Sequence, residues 1–129
     1  MFDPSTHILI VDDMLTMRKL VAKSCKTMGF TQMTEAADGR DAFEKLAAAD
    51  PRIGLIISDW NMPNCSGLEF LKRVRAESRF KDLPFLMVTA EAEKSQVVEA
   101  LKAGVSNYVV KPFTPDALKE KLEAIYSKI

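Results

Sequence analysis

Five short apolar runs, each followed by a helical pattern, constrain the fold of this chain more than any other feature. The runs span residues 7–11, 32–35, 54–58, 85–89 and 107–110, and each is predicted to form a strand. The second run alternates polar and apolar residues, which predicts an edge strand with one wetter face, whereas the other four are expected to be buried. Such alternation predicts a parallel sheet with helices on both faces and right-handed crossovers.

The helical patterns between the runs carry start and stop signals. Ser66 followed by Glu69 predicts a capping box for the third helix, and Thr114 followed by Pro115 predicts the start of the fifth. The second helix should follow Asp38, and the fourth should run from about residue 93 to 103. The first should end at Gly29 and bury a stripe formed by Met17, Leu20, Val21, Ser24, Cys25 and Met28. Five such units predict an α/β fold, a doubly wound five-stranded sheet with five helices.

Length and composition limit the classes of function. With 129 residues, 47% of them apolar, the chain is expected to form one domain over residues 1–129 with no output domain. Its 18 basic and 18 acidic residues leave no net field to attract nucleic acid or an anionic membrane. No run is long enough to span a bilayer, so a cytoplasmic protein is expected. Cys25 and Cys65 should be free thiols, Cys25 in the core and Cys65 in a turn without a special role.

Chemically active residues stand at the ends of four predicted strands. Asp12 and Asp13 end the first strand, Asp59 the third, Thr89 the fourth and Lys111 the fifth. In open parallel sheets, functional groups gather beyond the carboxyl ends of the strands. With the flavodoxin-like strand order 2-1-3-4-5, strands 1 and 3 are neighbours, and the three carboxylates should crowd into one crevice.

Three carboxylates in one crevice require a counter-charge. Neighbouring carboxylates raise each other's pKa unless a cation lies between them, and Lys111 supplies only one positive charge. Hard oxygen ligands suit a partly hydrated Mg²⁺, so Mg²⁺ is the predicted cofactor. A lone aspartate at a strand end is usually a helix cap, as predicted for Asp38, but three acids with a lysine and a hydroxyl are hard to explain as caps.

Two chemistries fit this predicted site. The first is metal-assisted hydrolysis of a small substrate, and the second is phosphoryl transfer to a protein carboxylate, with an ionised aspartate as nucleophile. The one histidine, His7, begins the first strand far from the site and is expected to be structural. A flavodoxin-like cofactor binder is disfavoured because Asp12 and Asp13 would repel an unmetalled phosphate.

Four segments resemble the receiver domains of two-component response regulators, particularly those of chemotaxis. They lie at residues 11–13, 58–64, 87–92 and 108–114, and the resemblance covers almost the whole chain. Known receiver domains have the flavodoxin-like order 2-1-3-4-5, so that order is carried over from them.

The resemblance implies a role for each site residue. Asp59 would accept a phosphoryl group from a kinase histidine, and Lys111 and Thr89 would contact its oxygens. Mg²⁺ would be held by Asp12, Asp13, Asp59 and the backbone carbonyl of Asn61. Thr89 and Tyr108 would form the switch that remodels the face of the fourth helix, fifth strand and fifth helix. The Lys111–Pro112 peptide would be cis.

The resemblance also implies partners. The expected phosphodonor is a chemotaxis histidine kinase, and the expected target is the flagellar motor switch, bound by a monomer when phosphorylated. A dedicated phosphatase is a possible further partner. The alternatives are a stand-alone phosphorelay receiver that passes its phosphoryl group to a histidine phosphotransfer protein, and a metal-dependent small-molecule phosphatase.

Overall fold

The structure is a computed structural model that describes residues 1–89 and 94–129, the side chain of Lys94 excepted. Its five parallel strands lie in the order β2-β1-β3-β4-β5. The strands are β1 (His7–Val11), β2 (Gln32–Ala36), β3 (Ile53–Asp59), β4 (Phe85–Thr89) and β5 (Asn107–Val110). The helices are α1 (Leu15–Thr27), α2 (Gly39–Ala48), α3 (Gly67–Ala76), α4 (Lys94–Lys102) and α5 (Pro115–Tyr126). The predicted fold class and strand order are confirmed, while the predicted helix start at residue 93 lies outside the described residues.

Two apolar cores lie on opposite faces of the sheet. In β1, Leu9 and Val11 belong to the core shared with α2, α3 and α4, whereas Ile8 and Ile10 belong to the core shared with α1 and α5. Successive side chains of a strand point to opposite faces, so a strand covered on both faces must be apolar throughout. This explains why β1, β3 and β4 appear in the sequence as uninterrupted apolar runs.

Side-chain caps start three helices where the sequence predicts them. Ser66 Oγ accepts a hydrogen bond from Glu69 N at 3.2 Å, and Thr114 Oγ1 accepts one from Ala117 N at 3.1 Å. Asp38 Oδ1 accepts a hydrogen bond from the backbone N–H of Asp41 in α2 at 2.9 Å, so Asp38 is a cap as expected. These caps fix where the loops at the carboxyl edge of the sheet turn into helices.

Two predictions about burial are wrong. Only Val109 of β5 is buried, because β5 is the second edge strand of the sheet. On α1, Val21, Ser24 and Cys25 of the predicted stripe are buried as expected, but Leu20 is 45% exposed while Ala22 is buried, so the buried face is shifted relative to the prediction. Cys65 lies in a turn as expected, but it is buried against Gly39.

The end of the sheet opposite the strand carboxyl termini holds His7. Its Nδ1 lies 2.7 Å from the carbonyl oxygen of Pro51, and its Nε2 lies 2.7 Å from Thr34 Oγ1. Both ring nitrogens thus tie the start of β1 to neighbouring segments, as expected for a structural histidine. Among the described helices, none is long and apolar enough to cross a membrane.

Candidate functional site

Three aspartates meet at the carboxyl edge of the sheet. Asp12 directly follows β1, Asp59 is the last residue of β3, and these strands are neighbours. One carboxylate oxygen from each of Asp12, Asp13 and Asp59 lies within 4.8 Å of the other two. Asp12 and Asp59 are only 4% and 6% exposed, whereas Asp13 faces solvent. The predicted crowding of the three acids is therefore present.

Lys111 brings a positive charge to these acids from the far side of β4. Its Nζ lies 3.1 Å from Asp59 Oδ1 and 3.6 Å from Asp12 Oδ2. Its backbone N–H donates to the Thr89 carbonyl at 2.7 Å, which continues the pairing of β4 and β5 beyond the strand ends. The Lys111–Pro112 peptide is cis, as the resemblance implied.

The charge of Lys111 does not balance the acids. Burial raises the pKa of Asp59 above its usual value; the hydrogen bond from Lys111 lowers it, and the nearby Asp12 charge raises it further. Burial also raises the pKa of Asp12, although the Met14 backbone N–H and Lys111 oppose that rise. Three hard oxygen donors with surplus negative charge are the ligand set that a small divalent cation prefers. The donor chemistry therefore fits Mg²⁺.

Thr89 lies beside these acids at the end of β4. Asp59 is paired with Val88 across β3 and β4, which places Thr89 one residue beyond that pair. Thr89 is 1% exposed, and its hydroxyl has no hydrogen-bond partner among the described residues. A buried hydroxyl without a partner costs about 1–3 kcal/mol, so this group is poised for an acceptor that arrives with a ligand or a modification.

The remaining predicted site residues lie further out. Asn61 is exposed, two residues past Asp59. Tyr108 is half-buried on β5, packs against the core on the α2, α3 and α4 side, and has the Lys121 Nζ 5.5 Å from its ring centroid. Pairing of Met87 with Tyr108 places the tyrosine two residues before the level of Thr89 on the adjacent strands.

Two residues that support the acids were missed by sequence reasoning. The Arg18 Nη1 donates to the Asp12 carbonyl at 2.6 Å. Gly67 begins α3 so close to Asp59 that a Cβ atom there would overlap the Asp59 carbonyl oxygen. A glycine directly after the predicted cap Ser66 is a signal that could have revealed the second contact, since glycine permits close approach of two backbones.

These features define the class of the protein: a flavodoxin-like α/β domain with an acidic, lysine-containing site at the carboxyl edge of its sheet. Within that class, the chain belongs to the response regulator receiver domain family, whose sequence model matches residues 8–123. Members of this family are signalling switches, and an acidic pocket of this kind is where they hold a metal ion.

Curated relatives and solved structures agree with this membership. The chain is 50% identical over 119 residues to chemotaxis protein CheY1 of Helicobacter pylori, covering 92% of this chain and 94% of the relative. It is 48% identical over 122 residues to chemotaxis protein CheY of Pseudomonas aeruginosa, covering 95% and 97%. A high-resolution structure of chemotaxis response regulator CheY4 of Vibrio cholerae matches with a TM-score of 0.86 at 37% identity, over 94% of this chain and 98% of that one.

Proposed function

We propose that this chain is a chemotaxis-type response regulator that accepts a phosphoryl group on Asp59 from a histidine kinase. The observation that carries the proposal is the environment of Asp59, a buried carboxylate 3.1 Å from Lys111 Nζ and within 4.8 Å of two further acids. The chemotaxis assignment rests on relatives of that name at about half identity over most of the chain.

In the proposed reaction, a carboxylate oxygen of Asp59 attacks the phosphorus of a phosphohistidine. The new O–P bond forms as the P–N bond breaks, and the electron pair of that bond remains on the imidazole nitrogen. Lys111 is close enough to Asp59 to donate to an equatorial phosphoryl oxygen once the acyl phosphate has formed. Catalysis by these groups is positioning and charge neutralisation, the usual contribution of a protein to phosphoryl transfer.

The metal site of the proposal consists of Asp12, Asp13, Asp59 and the backbone carbonyl of Asn61. When bound, Mg²⁺ would offset the surplus negative charge of the carboxylates and the phosphoryl oxygens. The two buried acids contribute most to this need, because burial raises the pKa of both.

The proposed switch connects Asp59 with the face formed by α4, β5 and α5. A phosphoryl group carries close to two negative charges and three acceptor oxygens, so it offers a charge-assisted hydrogen bond to the Thr89 hydroxyl, which has no partner within the part of the chain that the structure describes. A shift of Thr89 toward that acceptor would leave space that the Tyr108 ring could occupy. Phosphorylation would then bias an existing equilibrium between two arrangements of this face.

The first test is incubation with acetyl phosphate and Mg²⁺ followed by intact-mass measurement. We expect a labile gain of one phosphoryl group that is lost in Asp59→Asn and retained in Asp38→Asn, a matched change of an aspartate that caps α2, accepts from Asn64 and lies outside the three-acid cluster. A gain that persists in Asp59→Asn would refute the assignment of the acceptor. Continuous release of phosphate from small esters, without a mass gain, would instead favour a metal-dependent phosphatase.

A second test addresses the partner. The proposed cytoplasmic monomer of residues 1–129 should bind the N-terminal peptide of a flagellar motor switch protein more tightly with beryllofluoride than without it. Equal affinity in both states would remove the motor assignment. Rapid transfer of the phosphoryl group from Asp59 to a histidine phosphotransfer protein would favour a phosphorelay role. A chemotaxis kinase should be the efficient phosphodonor, and any phosphatase should act on the same acyl phosphate.

A further inference from the structure

We infer that Arg18 is a positioning residue for the metal site: it orients the peptide that joins Asp12 to Asp13 and thereby sets the direction of the exposed ligand Asp13. The inference rests on the proposed function of this acidic site. It concerns a residue that contacts neither the phosphoacceptor nor any carboxylate of the three-acid cluster in the described contacts. Arg18 acts through the backbone instead.

The guanidinium of Arg18 connects three segments of the chain. Arg18 lies in the first turn of α1 and its side chain is 16% exposed. Its Nη1 donates to the Asp12 carbonyl at 2.6 Å, and its Nε donates to Glu35 Oε1 at 3.2 Å. Glu35 is paired with Ile10 in the sheet, so its carboxylate stands on β2 beside the end of β1. Arg18 therefore joins the turn after β1 to the neighbouring strand.

The hydrogen bond from Arg18 to the Asp12 carbonyl is important because that oxygen belongs to the peptide unit between Asp12 and Asp13. A peptide unit is planar, so fixing the carbonyl oxygen of Asp12 also fixes the orientation of the Asp13 nitrogen. Asp12 itself is held independently, since its N–H donates to the Ala36 carbonyl at 3.1 Å and its Oδ1 accepts from Met14 N at 2.9 Å. The hydrogen bond from Arg18 instead orients the following peptide unit, which joins Asp12 to Asp13.

Asp13 depends on this backbone support more than the other two acids. It is exposed, while Asp12 and Asp59 are buried and contact Lys111. An exposed side chain is not confined by packing, so the direction in which it leaves the backbone largely decides whether its oxygen stays near the other two. Outer contacts of this kind typically change metal affinity by about 10–100-fold.

Arginine suits this position because it must donate in two directions at once. Its planar fork holds the Asp12 carbonyl and the Glu35 carboxylate together, which a lysine ammonium on a flexible stem reproduces poorly. Hydrogen bonds from Lys19 and then from Arg18 hold the pKa of Glu35 below its usual range. Lys19 approaches the same carboxylate at 2.8 Å but is largely exposed.

The positioning role and simple electrostatics predict opposite changes in Mg²⁺ affinity when Arg18 is removed. Removing a positive charge near the acids should by itself strengthen the binding of a divalent cation. Loss of the Asp12–Asp13 orientation should weaken it. We expect Arg18→Met to bind Mg²⁺ about 10-fold more weakly than the wild type and Arg18→Lys to be intermediate. Lys19→Met, the matched control on the same helix and the same Glu35, should bind as tightly as wild type or slightly more tightly.

The experiment titrates each full-length protein with MgCl₂ and follows both Trp60 fluorescence and the Mg²⁺-induced rise in melting temperature. Trp60 is the single tryptophan of the chain and directly follows Asp59. Affinity of Arg18→Met within twofold of wild type, or tighter, would overturn the inference, whatever the loss of melting temperature in EDTA. If Arg18→Met does not fold, Arg18→Lys carries the test because it keeps the positive charge and changes only the donor geometry: weaker Mg²⁺ binding than in wild type and in Lys19→Met is expected, and affinity equal to wild type overturns the inference.

Mg²⁺ binding and phosphoryl uptake by the wild-type protein distinguish a failure of this inference from a failure of the proposed function on which it rests. If wild-type protein binds no Mg²⁺ by either readout, the proposed metal site fails and the role of Arg18 fails with it. If wild type binds Mg²⁺ and gains a phosphoryl group on Asp59 while Arg18→Met binds Mg²⁺ equally well, only the role of Arg18 fails.

Discussion

Replacing Asp59 by asparagine should stabilise this protein when divalent cations are absent. At an effective dielectric constant of about 20, Asp59 and Asp12 oxygens no more than 4.8 Å apart repel by at least about 3.5 kcal/mol, while Lys111 at 3.1 Å attracts Asp59 by about 5 kcal/mol. The net attraction that remains, Lys111 minus Asp12, is smaller than the several kcal/mol that desolvation of a buried carboxylate costs. The raised pKa of Asp59 agrees with this: the folded protein disfavours the charged carboxylate, and burial is the largest cause.

We therefore expect Asp59→Asn to gain about 1–3 kcal/mol in the free energy of unfolding in EDTA. For a chain of 129 residues this corresponds to a rise in melting temperature of roughly 3–10 °C. Asparagine has nearly the same shape, so the packing around Trp60 and Gly67 should be unchanged. The expected gain in the free energy of unfolding therefore comes from removing the negative charge of Asp59.

The measurement is urea and thermal unfolding of both proteins in EDTA and in millimolar Mg²⁺. Added Mg²⁺ should stabilise wild type more than the variant, because a ligand of the folded state raises the free energy of unfolding with the logarithm of its affinity. Lys111→Met is the control of opposite sign, since it leaves three carboxylates without their lysine and should destabilise the protein in EDTA. An Asp59→Asn protein that is no more stable than wild type in EDTA would refute the electrostatic reasoning.

Three further predictions concern the same site. In EDTA, the stability advantage of Asp59→Asn should be small near pH 4 and should grow toward neutral pH: a raised carboxyl pKa stabilises the folded state below the unfolded value of about 3.9 and loses that contribution as pH rises through the folded value. A constant advantage measured by urea unfolding from pH 4 to 7 would contradict this. Gly67→Ala should cost about 3 kcal/mol or more because its Cβ would overlap the Asp59 carbonyl, while Gly54→Ala, which meets one methyl group, should cost less in the same denaturation assay; equal costs would remove the close-approach argument. Thr89→Val should stabilise the unphosphorylated protein by about 1 kcal/mol, since a buried hydroxyl without a described partner is removed, and should slow phosphoryl uptake in an intact-mass time course; destabilisation would indicate that the hydroxyl is satisfied.

Much of the fold could be predicted because the signals are local. The cap residues Ser66 and Thr114 set helix starts through contacts within three residues, and the structure confirms both. Burial of individual side chains was less predictable. Leu20 lies on a helical stripe yet is exposed, and β5 is apolar yet half-buried, because the position of an element in the sheet decides what covers it.

The acidic site divides in the same way. Asp12, Asp13 and Asp59 could be identified from their places after apolar runs, since the carboxyl ends of parallel strands share one edge. Arg18 could not, because a basic residue in the first turn of a helix usually faces solvent and its partner Glu35 is 17 residues away.

Hydrophobic period and capping act over a few residues, so the amino-acid sequence is enough to predict the alternation of five strands and five helices and the chemical types at the carboxyl edge. The distances that make a site depend on the tertiary fold: Lys111 Nζ lies 3.1 Å from Asp59 Oδ1, the Thr89 hydroxyl has no partner among the described residues, and Arg18 donates to the Asp12 carbonyl. These contacts join residues far apart along the chain, and their lengths depend on strand register and helix packing. Short-range patterns carry no record of either.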